Sequence, residues 1–386
     1  MASSSRTASI CSLFNNRFNS RKQSSIPFLI SKTGEIITSA SRKCSEFSIS
    51  FSYDTAPPFI YSYMPKCSQS PNHISNINFT LENIHKAITR LKHSYSICYD
   101  GLPPSLLKYT DNAISQLLLK LYGCSILDGI YPAEWKVSFI LPRHKAGSKT
   151  DVTNYRPIHL TSPLSRVMES IIAEQLNDFL YSNGILNKEQ YGFSKYRSCA
   201  TCHLDLLNFI TTNHDAGLSV IVFYFDLKKA FDSVPHHKLL YKLESAGVTG
   251  PLLKWFSSFL CDRTQIVKID HAMSAPVPIT SGVIQGSVLG PLLFLIYIND
   301  IIKSFSFGYP FLYADDLKLA FAYHKNDSSI TDCIQKDLDN LQMWFDQWNM
   351  TLNVDKSGYM QFSKNDLTNI FQIDNQSRRQ LFTIKE

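Results

Sequence analysis

Val220-Ile221-Val222-Phe223-Tyr224-Phe225 is six apolar, mostly β-favouring residues in succession. A run of that kind reads as a strand covered on both faces. Such a strand must lie inside a layered structure, and the flanking chain can supply the layers. Leu81, Ile84, Ile88 and Leu91 recur at helical spacing behind a Thr80 cap, Asp100 to Pro104 is a turn, and Leu106 to Leu121 reads as a second helix. Ser162-Pro163 opens an amphipathic helix with the stripe Leu164, Val167, Met168, Ile171, Ile172, Leu176, Phe179 and Leu180, which Asn183-Gly184 closes. Further helices are expected over His203–Thr212, from Pro235 to Gly247, over Pro291–Ile302 and over Asp332–Trp348. Strands are expected at Val137–Leu141, at Thr264–Ile269, on both sides of Asp315-Asp316 within Phe311–Phe321, and around Leu352 and Met360. Helices mixed with non-contiguous strands, with no internal repeat, predict an α+β fold.

The chain has 386 residues, 44% of them apolar, enough for one large core or two smaller ones. Charged residues make up 18%, which excludes a chain disordered throughout. The net charge of +6 is compatible with a polyanionic partner but does not by itself identify one. Nine cysteines without regular spacing argue against a disulfide framework and for a reducing, intracellular compartment, nuclear or cytoplasmic. The longest apolar run, Val288 to Ile298, is about half of the ~20 residues a membrane span needs. The first 34 residues contain no Asp or Glu but do contain Arg6, Arg17, Arg21 and Lys22. That composition is similar to a mitochondrial transit peptide, yet no clear amphipathic helix accompanies the basic residues. Residues 1–75 are therefore read as a Ser-rich, poorly ordered leader or linker.

Asp315-Asp316 stands between two apolar strands. Asp-Asp is not a favoured two-residue hairpin turn, and two like charges at a tight tip cost free energy unless a cation offsets them. Hard divalent ions prefer oxygen ligands. A third carboxylate, Asp226, directly follows the apolar run. If that strand lies beside the hairpin, Asp226 and Asp315 converge, and the three carboxylates can hold two ions ~3.5–4 Å apart, as in-line phosphoryl transfer requires. The ordinary alternative, a solvated turn plus a helix cap, loses ground only through the motifs around these residues.

Those motifs resemble the reverse transcriptases of non-LTR retrotransposons. Tyr313-Ala314-Asp315-Asp316 is similar to their YADD box, and Phe225-Asp226-Leu227-Lys228-Lys229-Ala230-Phe231-Asp232 to their first catalytic motif. Gln285-Gly286-Ser287-Val288-Leu289-Gly290-Pro291-Leu292-Leu293-Phe294, Asn154-Tyr155-Arg156-Pro157-Ile158, Gln190-Tyr191-Gly192-Phe193 with Arg197-Ser198, and Asn353-Val354-Asp355-Lys356-Ser357 complete a set of six in the family's order. Ile284 stands where the family has Pro, and Ser96 to Gly101 replaces a Gly-Pro-Asp-Gly-like segment.

The resemblance implies a right-hand polymerase fold. Residues 76–135 form a helical N-terminal extension, 136–215 the fingers, 216–366 the palm and 367–386 a truncated start of a thumb that is otherwise missing, so the chain is expected to be a fragment of a larger reading frame. It implies two Mg²⁺ ions, with Mn²⁺ as an alternative, held by Asp226, Asp315 and Asp316 with the Leu227 carbonyl. Phe231 is expected as a steric gate against a 2′-hydroxyl. Gln285 and Gly286 are expected at the nascent base pair, Lys145 and Arg156 on the triphosphate with Arg143 as a weaker candidate, and Lys356 as the acid for departing pyrophosphate. Asp232 is expected to cap the helix entering at Pro235. Cys199-Ala200-Thr201-Cys202-His203 matches a haem-attachment pattern, which its place inside the polymerase motifs sets aside. The implied partners are an RNA template, a DNA primer and dNTPs, with no membrane. Two rivals are an inactive nucleic-acid-binding remnant and an RNA-dependent RNA polymerase.

Overall fold

A computed structural model describes residues 26–31, 33–52, 69–362 and 382–383. Two short strands, β1 (Leu29–Ile30) and β2 (Ile36–Ile37), precede helix α1 (Ala40–Ser50). Helices α2 (Leu81–Arg90), α3 (Pro104–Tyr109) and α4 (Asp111–Asp128) follow. The chain then runs through β3 (Val137–His144), β4 (Tyr155–Leu160), α5 (Pro163–Ser182) and α6 (Cys199–Asp215) to the apolar strand β5 (Ser219–Phe225). Beyond it lie α7 (His236–Ser245), α8 (Gly250–Leu260), β6 (Arg263–Ile269), β7 (Ala272–Met273) and β8 (Val277–Ile279). The last described elements are α9 (Gly290–Ile298), β9 (Tyr309–Tyr313), β10 (Asp316–Tyr323), α10 (Ile330–Trp348), β11 (Gly358–Phe362) and β12 (Phe382–Thr383).

The expected helix starts rest on identifiable caps. Thr80 and Asn83 form a reciprocal capping box at α2, and Ser162 accepts from the Ser165 amide at α5 with Pro163 in the first turn. The α5 stripe is buried through Val167, Met168, Ile171, Ile172, Leu176 and Leu180.

One sheet has the order β12-β11-β5-β10-β9 and is antiparallel except for β11 with β12. Strand β5 lies at its centre. Ile221, Phe223 and Phe225 join the main core, while Val220 and Val222 pack in a second cluster with Cys202, Leu206 and Ile210 of α6. Both faces are covered, as the apolar run requires. The other sheet has the order β4-β3-β6-β7, with β8 also on β6, and β3 runs parallel to β6. It takes strands from residues 137–160 and from residues 263–279, so the expected division at residue 215 is not a division of this sheet.

The described part of residues 1–75 departs from the expected irregular leader. Leu29, Ile37, Cys44, Phe47 and Phe51 pack on Ile140, Tyr155, Val267 and Ile269 of the second sheet. The helical stripe in α1 is only three residues wide and lies among serines, which hides its period. Residues 81–128 bury Ile84, Ile88, Leu118 and Tyr122 in the same core as α5. Helix α8 and strand β4 were not anticipated, and α4 runs past Leu121 to Asp128. Of the expected thumb start, residues 367–381 and 384–386 lie outside the described residues, and Phe382–Thr383 pairs with β11. Among the described residues, no helix is long and apolar enough to cross a membrane.

Candidate active site

Strands β9 and β10 pair Tyr313 with Asp316, so the two residues at the tip are Ala314 and Asp315. The sequence reading put Asp315-Asp316 there. The correction is one residue, because Asp316 already belongs to the ladder. Ala314 has φ +56°, a conformation that glycine usually supplies in two-residue hairpins. Leu317 faces Phe225 across β10 and β5. The next step of that register sets Asp316 opposite Asp226, just past the end of β5. Burial raises the pKa of the Asp315 carboxyl, and the charges of Asp316 and Asp226 push it the same way, while Lys145 opposes them. The three carboxylates thus share one field, which Lys145 reaches.

They do not form a three-carboxylate cage. Among the described residues, no group of three His, Cys, Asp or Glu side chains is placed to hold an ion. Asp316, first residue of β10, is exposed, whereas Asp315 and Asp226 are half-buried. The strand register nonetheless keeps Asp316 across from Asp226, with Asp315 next to it at the turn.

Asp226 is held by a segment more than a hundred residues away in sequence. Asn353 Nδ2 donates to Asp226 Oδ2 (2.8 Å) and the Asn353 amide to the Asp226 carbonyl (2.7 Å). The Asp226 amide donates to Ser357 Oγ (3.1 Å). The Lys228 amide donates to Thr351 O (2.8 Å), so the Leu227 carbonyl takes no part in these contacts. Lys356, singled out from sequence, is exposed between the two residues that do the holding. Asn353 and Ser357 were missed as site residues, although both stand in the quoted motif.

Gln285 and Gly286 meet protein rather than open space. The His159 amide donates to Gln285 O (2.8 Å), and Gln285 Nε2 donates to Asp232 Oδ1 (2.7 Å). Gly286 has φ +116°, and a Cβ there would lie 2.6 Å from the His159 carbonyl oxygen. Strand β4 therefore already demands the glycine, independently of any base pair. Asp232 does not cap the following helix, whose cap is Pro235 without a side-chain bond. The Val283 amide donates to Phe231 O and the Gly282 amide to Val234 O, which brings Gln285 onto Asp232 instead. Burial raises the Asp232 pKa.

Phe231 is half-buried and stacks on Phe294, with centroids 4.4 Å apart and planes at 15°. Arg143 and Arg156 are exposed partners across β3 and β4, and Lys145 follows β3 with its amide on Asn154 O (2.8 Å). Sequence reasoning also passed over Glu169, which is fully buried and accepts from the Val288 amide (2.8 Å), the Leu289 amide (3.2 Å) and Ser165 Oγ (2.7 Å). A carboxylate inside the α5 apolar stripe was its signal.

His159 is buried, with Nδ1 paired to Ser138 Oγ (2.8 Å), and burial lowers its pKa from 6.5 to about 3. The folded state therefore keeps this imidazole neutral. Its contribution is complete above pH 6.5 and is lost as pH falls from there towards about 3. Urea unfolding should show a loss of about 2 kcal/mol between pH 7 and pH 5 from this group, and a shallower pH slope in His159→Gln.

The reverse transcriptase (RNA-dependent DNA polymerase) family profile matches residues 144–378, more than half of the chain. The RNA-directed DNA polymerase from mobile element jockey of Drosophila melanogaster is 28% identical over 325 residues, covering 81% of this chain and 35% of that protein. The probable RNA-directed DNA polymerase from transposon BS of the same organism is 29% identical over 285 residues, covering 72% and 31%. A putative 115 kDa protein in type-1 retrotransposable element R1DM is 27% identical over 244 residues, covering 61% and 23%. The chain spans about a third or less of the length of these relatives. With the matched region holding the carboxylate pair, its strained turn and the segment that seats Asp226, the chain belongs to the reverse transcriptase (RNA-dependent DNA polymerase) family.

Proposed function

We propose that this chain carries the fingers and palm of a non-LTR retrotransposon reverse transcriptase, adding dNTPs to a DNA primer on an RNA template. The observation that carries the reading is the strand register that brings Asp226, at the end of β5, level with the Ala314-Asp315 turn between β9 and β10, from motifs far apart in sequence. The donor set fits a hard divalent ion: carboxylates close enough that the charges of Asp226 and Asp316 raise the proton affinity of Asp315, beside a backbone carbonyl. Asp226, Asp315 and the Leu227 carbonyl, with Asp316 in support, would hold Mg²⁺ or Mn²⁺. When bound, the ions would supply a more acidic primer 3′-hydroxyl and charge stabilisation for the departing pyrophosphate.

The chain's own residues do the rest. Asn353 and Ser357 fix Asp226 so that one carboxylate oxygen stays oriented. Lys145 and Arg156 offer exposed cations to the triphosphate, and an Arg suits its paired oxygens. Gln285 is held by Asp232 at the edge of the nucleotide site, and Lys356, exposed next in sequence to the Ser357 that accepts from the Asp226 amide, would be a proton source for the leaving group. Phe231, backed by Phe294, presents a flat wall under the sugar.

The test is primer extension by the full chain on an RNA template with Mg²⁺. Template-dependent dNTP addition supports the reading, and binding without extension sinks it in favour of an inactive remnant. Phe231→Val should raise rNTP use relative to dNTP by about tenfold or more, read as the ratio of kcat/KM values. An unchanged ratio would return Phe231 to the core.

A further inference from the structure

We propose that Gln190 is a positioning residue that holds the Ala314-Asp315 turn in its unfavourable shape and so keeps Asp315 beside Asp226. The proposal rests on the polymerase reading for its functional consequence, and on geometry for everything else. Ala314 occupies a left-handed conformation that an L side chain disfavours, at a turn position where glycine would cost nothing. Left alone, such a turn has reason to relax. Gln190 is only 6% exposed, and its Oε1 accepts from the Ala314 amide (2.9 Å) and from the Gly192 amide (2.7 Å).

The backbone brings the clamp to the turn. The Leu312 amide donates to Glu189 O (2.9 Å) and the Tyr191 amide to Leu312 O (2.8 Å), so residues 189–191 run as a short added strand along β9. Ser194 Oγ donates to Gln190 O (3.0 Å) and closes the arc behind it. Gly192 lies so close that a Cβ there would sit 2.3 Å from the Ala314 nitrogen. A side chain at 192 would displace the turn, and loss of the Gln190 oxygen would leave a buried amide unpaired. The turn residue, the missing Cβ and the amide oxygen form one unit around the carboxylate.

Gln190→Ala should cut kcat for primer extension about ten- to a hundredfold, the scale expected for a misplaced reacting group, and raise the Mg²⁺ concentration for half-maximal rate. The dNTP KM should change much less, because no triphosphate contact is lost. The deciding variant is Gln190→Ala/Ala314→Gly. Glycine takes the positive φ freely, so this double variant should regain at least about tenfold in kcat over Gln190→Ala. Amide hydrogen exchange at Ala314 gives a readout that needs no activity: slow in the wild type, at least about tenfold faster in Gln190→Ala. An Ala314 amide still protected in Gln190→Ala, or a folded double variant no faster than the single one, overturns the clamp. Should the wild type extend no primer, the polymerase reading fails by itself, and the exchange rates still decide the role of Gln190.

Discussion

Asp226→Asn is expected to reduce template-directed primer extension by about a thousandfold or more while leaving the protein at least as stable as the wild type. Asn has nearly the same volume, and its amide oxygen can still accept from Asn353 Nδ2, so the seat at the end of β5 survives. The amide nitrogen then faces the position where an oxygen donor is needed, and a ligand charge is gone. Charge stabilisation of this kind is worth several kcal/mol, and each ~1.4 kcal/mol is tenfold in rate. The stability half of the prediction has the opposite sign. Asp315 has its folded pKa raised above 3.8, partly by Asp226. Without a cation, the folded protein therefore loses stability as pH rises from that value through the raised pKa. Removing the Asp226 charge relieves part of that loss, so the melting temperature near neutral pH should hold or rise. Extension assays and thermal unfolding on the same preparation check both halves. Activity within tenfold of wild type would take Asp226 out of the reacting centre, and a large fall in melting temperature would make it a structural residue.

The outcome contrasts with what could be read directly from sequence. Strand β5 and the acid after it are legible because an unbroken apolar run has few solutions. Helix α5 is legible because eight apolar residues keep one period. Helix α8 was equally open to reading: Gly250-Pro251 starts it, and Leu252, Trp255, Phe256, Phe259 and Leu260 are its buried stripe. Helix α1 was not legible in the same sense, since its narrow stripe becomes a core only against the second sheet. The hairpin tip was misplaced by one residue, because it follows from the pairing of β9 with β10 and not from the Asp pair itself. Asp232 shows the commonest failure. A local rule offered it a helix cap, and a tertiary contact with Gln285 took it instead. The motifs pick out the carboxylates, but the contacts made by Asn353, Ser357, Gln190 and Glu169 span long sequence separations, so their partners are not readable from local pattern.

Glu169→Ala is expected to be the most destabilising single change near the site, costing about 3–5 kcal/mol of unfolding free energy, because three donors lose their acceptor inside the core. Two of them, the Val288 and Leu289 amides, stand at the N-terminal end of α9, where no intrahelical partner exists and a carboxylate is favoured. The third is Ser165 Oγ, which also pairs with Tyr131 Oη at 2.6 Å. Glu169→Gln should cost much less, about 1–2 kcal/mol. The amide oxygen can keep both backbone donors, and its NH₂ can donate to Ser165. Ser165 then donates to Tyr131, whose hydroxyl turns to the Trp135 carbonyl 3.5 Å away. The hydrogen-bond chain reverses and leaves only the second N–H of the new amide without a partner, which is the source of the residual cost. Because Val288 follows directly from Gln285-Gly286-Ser287, the Ala variant should also raise the dNTP KM, whereas the Gln variant should leave it near wild type. Denaturant unfolding of both variants separates the effects. Equal losses for Ala and Gln would mean that the carboxylate charge, rather than the pattern of acceptors, anchors the start of α9.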